Sequence, residues 1–178
     1  MSAMLPELRA SGFVIFRMVC NQIEYLLLQT SYGTHHWTPP KGKGDARNDF
    51  QMYGGSFQDR AAVVFLPSAL SCWGLTDPEE SDLETALRET EEESGLTELD
   101  LRILADFRKT IKYDVRGKPK TAVYLLAELI KPDTPIKLSD EHQDFKWVSL
   151  DKACELVKHQ TLQEVLKECG AFVQQNHT

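Results

Sequence analysis

The sequence predicts an α+β fold, a mixed β-sheet sandwiched between helices, in a single domain. Three observations point there. Runs rich in β-branched and aromatic residues come first, then one long amphipathic helix, more strands and two closing helices, and this order lacks the strict alternation of a doubly wound sheet. The 178 residues are the length of one domain and suffice to bury a core without disulfides or metals. A composition of 42% hydrophobic and 26% charged residues is that of a globular chain rather than a disordered one.

The elements follow in order. Ser11 to Val19 contains GFVIFRMV and Glu24 to Thr30 reads EYLLLQT, two apolar runs whose polar link, Asn21-Gln22, predicts a hairpin. The stretch Ser31 to Gly42, SYGTHHWTPPKG, is polar and aromatic, and its two prolines forbid regular helix. Residues 43–74 show neither helical nor strand period. Within them Ala61 to Trp73 is nearly all apolar, broken by Pro67 and too short to span a bilayer. A connection this long inside one domain calls for an explanation. Residues 77–95 read as the clearest helix, with Asp77 as N-cap, Pro78 at the first helical position, Glu80 completing a capping pattern and Gly95 as the stop. Its expected buried stripe is Leu83, Ala86, Leu87 and Thr90. Leu101 to Tyr113 and Thr121 to Leu129 read as strands around the turn Arg116-Gly117-Lys118-Pro119, and Phe145 to Val148 as a short strand. Leu150 to Val157 and Leu162 to Phe172 read as helices, the second with Leu162, Val165, Leu166 and Cys169 on one face.

Charge and cysteine usage exclude several functions. With 20 basic and 27 acidic residues the net charge is −7, which argues against general nucleic-acid or anionic-membrane binding but leaves room for a small anionic substrate held by local lysines. No window has the apolar length of a membrane span. Met1 to Leu8 carries Glu7 and no apolar core, so no secretory signal is expected. Cys20, Cys72, Cys154 and Cys169 lack metal-ligand spacing and read as reduced thiols of a cytoplasmic protein.

The chemistry concentrates on the 77–95 helix. Glu89 and Glu93 nearly eclipse along it, Glu92 lies beside them, and all three are expected to face away from the Leu83/Leu87 stripe. Like charges so placed repel, and the macrodipole disfavours anions in this half of a helix. A solvated acidic face is one explanation; carboxylates gathered around a hard divalent cation, Mg²⁺ or Mn²⁺, are the other. The spacing argues against the solvated face. Gly74, five residues, Glu80, seven residues, then Arg88-Glu89-Thr90-Glu91-Glu92-Glu93-Ser94-Gly95-Leu96 matches GX5EX7REUXEEXGU, with Thr90 departing from the usual bulky aliphatic.

On this motif the chain resembles the Nudix hydrolases. The resemblance implies an α/β/α sandwich with a mixed sheet and a catalytic loop–helix–loop, metal held by Glu89, Glu92 and Glu93, and Arg88 orienting a glutamate. Further motifs narrow it: HHWTPPKG from His35, DPEESDLETALRETEEESG from Asp77, KPKTAVYLLAE from Lys118 and EHQDFKW from Glu141 are similar to those of the animal-type asymmetric bis(5′-nucleosyl)-tetraphosphatases. That family hydrolyses diadenosine tetraphosphate to ATP and AMP. The likeness implies phosphate contacts from Lys41 and Lys120 with His36 nearby, adenine stacking by Tyr113, and a place beside the metal cluster for Glu141, as ligand or as activator of water. Tyr32 and Lys118 are further substrate-binding candidates. Tyr124, Trp37 and Trp147 fit packing better, and His142 a structural role in its loop.

Residues 43–74 interrupt the family pattern. Without them the chain reads PPKG-LTDPEE, and Gly42 takes the first position of the motif with its spacing intact, so Gly42 and Gly74 are duplicate candidates for one glycine near the metal. The sequence thus predicts one domain over residues 8–174 with an irregular insertion at 43–74, read as a retained intron, splice variant or gene-model error. It predicts an Mg²⁺-dependent hydrolase of dinucleoside polyphosphates, monomeric and binding neither nucleic acid nor membrane. A nucleotide-binding module weakened by the insertion, and a Nudix hydrolase of another substrate, are the alternatives.

Overall fold

The computed structural model describes residues 8–42, 80–115 and 118–176. The insertion at 43–74 with its Gly74, the helix-start signals Asp77 and Pro78, and the turn residues Arg116 and Gly117 lie outside the described residues.

The hairpin forms as expected from β1 (Leu8–Val19) and β2 (Gln22–Thr30), with Val19 opposite Gln22. Its turn is Cys20–Asn21, one residue earlier than the polar pair suggested. Both residues have positive φ, 48° and 61°, as the tight two-residue hairpin turn demands, and asparagine tolerates that region well. β1 also pairs in parallel with β5 (Lys118–Leu129), from Leu8 opposite Lys120 to Phe16 opposite Glu128. β5 pairs antiparallel with β4 (Leu101–Val115), and β6 (His142–Val148) with β2. The sheet is therefore mixed, as predicted.

A short strand, β3 (Trp37–Thr38), pairs with β2 at Leu28 and Gln29. β6 occupies one side of β2 over this stretch, so β3 takes the side facing β1, where the hairpin strands splay. The wedge continues through Pro39 to Gly42. Phe13 N donates to Pro40 O at 3.1 Å and Gly42 N to Ser11 O at 3.4 Å. Gly12 makes this possible, since a Cβ there would lie 2.4 Å from Pro40 O and 2.5 Å from Lys41 Cβ.

Helices cover both faces. α1 (Asp82–Ser94) lies on one, over Phe13, Ile15, Leu26, Leu28, Ala127 and Leu129. α2 (Leu150–Leu156) and α3 (Gln160–Asn176) lie on the other, over Val14, Phe16, Tyr25, Leu27, Tyr124 and Leu126. The alternation of β1 and β5 residues between these two cores is the period-2 pattern of strands buried on both faces. In α3 the predicted stripe Leu162, Val165, Leu166 and Cys169 is buried. Burial also pushes the Cys169 thiol well above its ordinary value, so it behaves as a packing residue.

α1 corrects two expectations. It begins at Asp82, capped by Ser81: Glu84 N donates to Ser81 Oγ at 3.2 Å and Ser81 N to Glu84 Oε2 at 2.8 Å. This reciprocal box lies four residues beyond the predicted N-cap and satisfies two orphan amides at once. Gly95 ends the helix at φ 71° as expected. Of the expected stripe, Ala86 and Thr90 are buried and Leu87 packs half-buried on the core, but Leu83 is 40% exposed, and the buried face also takes in Thr85, Glu89, Glu93 and Ser94. Glu89 and Glu93 thus face the sheet rather than solvent.

Candidate active site

The splayed end of the sheet carries described candidate residues in two groups, one joined to α1 and one on the opposite face. It is built from the starts of β1, β5 and β6, the ends of β2 and β4, and the wedge that carries Lys41.

α1 supplies the carboxylates. Glu89 and Glu93 are 2% and 4% exposed, one turn apart, whereas the Glu92 side chain is 53% exposed. Two carboxylates buried this close need compensation. Arg88 NH1 donates to Glu89 Oε1 at 2.5 Å and lies 3.6 Å from Glu92 Oε1. Arg88 also grips Glu80 with two bonds, Nε to Oε1 at 3.0 Å and NH2 to Oε2 at 3.1 Å. Burial works against the Arg88 charge, but the bonds to Glu80 and Glu89 outweigh it and hold the guanidinium above its ordinary value. Glu80, expected to complete a cap with Asp77, instead orients Arg88 and accepts a bond from Thr85 Oγ1 at 2.9 Å. Glu93 Oε2 accepts from the backbone amide of Lys41 at 2.9 Å, so the wedge ties directly to the carboxylate helix. Gly42 follows, buried against Ser11.

The opposite face holds another group. Tyr113 and Lys120 are cross-strand partners on β4 and β5, with Lys120 Nζ 5.9 Å from the Tyr113 ring centroid. Tyr113 is half-buried against the core, and Lys120 is 1% exposed. Lys118 begins β5. His36 is half-buried, its Nδ1 3.5 Å from Thr30 Oγ1. Tyr32 is half-buried in the same loop, and its carbonyl accepts from His35 N at 3.2 Å. Tyr124, Trp37 and Trp147 pack into the two cores, Trp37 with Lys146 Nζ 4.6 Å above its ring. Glu141 is half-buried at the foot of β6, with its Oε2 inaccessible to solvent. His142 is buried, its ring 3.5 Å from Ser139 Oγ.

Sequence reasoning missed three contributors. His159, between α2 and α3, presents its ring edge-on to His36 at 6.5 Å, and a lone polar histidine between helices gave no signal. Gly12 did leave a signal, a glycine inside a strand pattern. Ser31 donates to two successive carbonyls at the foot of β6.

A family model for the NUDIX domain matches residues 60–169. The chain belongs to the Nudix family. It is 41% identical over 172 residues to the asymmetrical bis(5′-nucleosyl)-tetraphosphatase of Rattus norvegicus, covering 93% of this chain and 95% of that protein. The Caenorhabditis elegans protein of the same name is 35% identical, covering 93% and 96%. Among solved structures, the C. elegans Ap4A hydrolase in a binary complex superposes with a TM-score of 0.72 at 35% identity, covering 94% of this chain and 98% of that one. The Mycobacterium smegmatis Nudix hydrolase RenU matches at 0.64 with 16% identity, covering 96% and 89%, a likeness of fold alone. The α/β/α Nudix fold is thus established.

Nudix hydrolases work with divalent metal ions. The donor chemistry here suits one: two buried carboxylates a turn apart, oxygen ligands only, with neither thiolate nor imidazole on the helix face. Among the described residues no three His, Cys, Asp or Glu side chains converge on one point; Arg88 engages Glu89 and the Lys41 amide engages Glu93. No helix among the described residues is long and apolar enough to cross a membrane.

Proposed function

We propose that this chain hydrolyses dinucleoside polyphosphates, with diadenosine tetraphosphate as its substrate, and cuts it asymmetrically to ATP and AMP. The observation that carries this reading is the pairing of a near full-length match to asymmetrical tetraphosphatases with a helix that buries two carboxylates in a polar setting. A helix selected for packing alone would bury leucine there.

Glu89, Glu92 and Glu93, with the carbonyl of Gly42 or Gly74, are the residues to hold Mg²⁺, or Mn²⁺ in its place. Such an ion would neutralise phosphate charge and lower the pKa of a bound water. The protein's own part is positional. Arg88, braced by Glu80, holds Glu89. The Lys41 amide holds Glu93 beside the wedge. A carboxylate of this group, Glu141 included, accepts the proton of the attacking water. Lys41, Lys118 and Lys120, with His36, are the residues to meet the polyphosphate charge, and Tyr113 and Tyr32 those to stack on adenine. Anchoring one adenosine fixes which phosphorus is attacked, and this makes the cut asymmetric.

The reading assigns the protein to the cytoplasm, acting as a monomeric domain over residues 8–174, with a small-molecule partner and neither nucleic acid nor membrane. Its test is product analysis on the full chain. With Mg²⁺, diadenosine tetraphosphate yields equimolar ATP and AMP. Two ADP per substrate would contradict the asymmetry. Binding without turnover would favour a module weakened by residues 43–74, and faster turnover of ADP-ribose or a capped dinucleotide would shift the substrate class.

A further inference from the structure

The segment from Lys137 to His142 is bound at both ends to elements of the site. At one end it caps α1. Lys137 N donates to Ser94 O at 2.8 Å and Ser139 N to Glu93 O at 3.4 Å, satisfying carbonyls that a helix end leaves open. Gly95 lets it approach, since a Cβ there would sit 2.9 Å from Lys137 Cβ. Ile136 and Leu138 pin the segment to the core beneath α1. At the other end Ser31, the first residue after β2, donates twice: its amide to Glu141 O at 2.7 Å and its hydroxyl to Asp140 O at 2.9 Å. Between these anchors a turn closes, with His142 N donating to Ser139 O at 3.0 Å. Glu141 therefore stands where the backbone of Glu93 and the root of the Tyr32–His36 loop are bridged.

From this geometry we propose that Ser31 is a positioning residue for the hydrolysis, acting through Glu141. Its hydroxyl is the side-chain clasp of the bridge, and it fixes the Asp140–Glu141 peptide relative to the helix that carries Glu89 and Glu93. Ser31 does not touch substrate. It sets the distance at which the Glu141 carboxylate stands from the helix carboxylates, and rates of phosphoryl transfer depend on such distances. The proposal rests on the function proposed above.

The test is a double-mutant cycle between Ser31→Ala and Glu141→Gln in the full chain, with diadenosine tetraphosphate and Mg²⁺. Ser31→Ala is expected to lower kcat about fivefold, the scale of one lost hydrogen bond, with KM changed less than about twofold. In the Glu141→Gln background the same change is expected to lower kcat less than about twofold, because the group it positions is already disabled. Ser31→Thr, which keeps the hydroxyl, recovers most of the rate. Ser31→Cys, a weaker donor of nearly the same shape, carries the cycle if the alanine variant does not fold. Equal losses in both backgrounds, a rise in KM at constant kcat, or no loss at all would overturn the proposal. An unsubstituted protein without turnover would instead overturn the functional reading beneath it, so the two failures are told apart by the control.

Discussion

The two helical layers of this sheet are built on opposite terms. The α2/α3 layer buries Ala153, Val157, Leu162, Val165, Leu166, Cys169 and Val173. The α1 layer buries Thr85, Glu89, Thr90, Glu93 and Ser94, with Ala86 alone apolar on that face. The long helices of the two layers, α1 and α3, have 13 and 17 residues, ordinary helix lengths, so the difference lies in what each face is for. The α2/α3 helices contribute an apolar face to their core. α1 covers its own apolar core with a largely polar face, whose carboxylates are held by Arg88, Glu80 and the Lys41 amide. Substitutions of the packed residues in the first layer should move stability and leave chemistry alone, while removing the buried carboxylates of the second should do the reverse.

The largest effect expected from the packed layer is that of Leu166→Ala, which is 0% exposed. It should lose about 2–5 kcal/mol in urea unfolding, with kcat per folded molecule unchanged. A matching fall in kcat would show that the layers are coupled. Next comes Tyr113→Ala, at the site but on the α2/α3 face. Loss of a base-stacking surface is worth about 1–3 kcal/mol and should appear in KM for the dinucleotide, with little change on a generic phosphate ester. Equal losses on both substrates would remove Tyr113 from adenine recognition.

Asp82 sharpens the comparison through pH. The bonds from Arg9, with support from Arg108, hold its carboxyl below the ordinary carboxylate value against the opposing effect of burial. Its folded pKa being the lower, its contribution is fully present above the unfolded value of about 3.9 and is lost as the pH falls through the folded one. The melting temperature of Asp82→Asn should therefore fall less steeply than that of the unsubstituted chain below about pH 4, and parallel curves would exclude the pairing as a source of stability. The smallest effect concerns Thr90, fully buried, whose Oγ1 has no hydrogen-bond partner among the described residues. Thr90→Val should raise stability by up to about 1 kcal/mol without changing kcat, and a loss of stability would reveal a partner for the hydroxyl.

The same contrast explains what could be read in the sequence. α3 was legible because its buried face is hydrophobic, and periodicity finds such faces. The spacing of the glutamates on α1 was legible as chemistry, but its packing was not. Leu83 drew the stripe toward solvent, because carboxylates on a buried face invert the pattern that periodicity detects. The cap at Ser81 was present as Ser-x-x-Glu and was overshadowed by the equally plausible Asp77-Pro78. The wedge of β3 between β1 and β2 was not legible in a proline-rich loop, since the residue that admits it, Gly12, lies far away in sequence. Likewise Glu141 and Ser31 stand 110 positions apart in the chain, joined by a bond that no periodicity encodes.

The division of labour is tested most directly by Glu93→Gln, with turnover of diadenosine tetraphosphate and melting temperature measured on the same sample. Glutamine keeps the shape and an acceptor for the Lys41 amide while removing the charge. The account predicts a fall in kcat of at least about a hundredfold with Mg²⁺ saturating, at a melting temperature equal to or above that of the unsubstituted chain. Turnover within about tenfold of the original, or a loss of rate that merely follows a loss of fold, would show that the buried carboxylates serve the structure and not the chemistry.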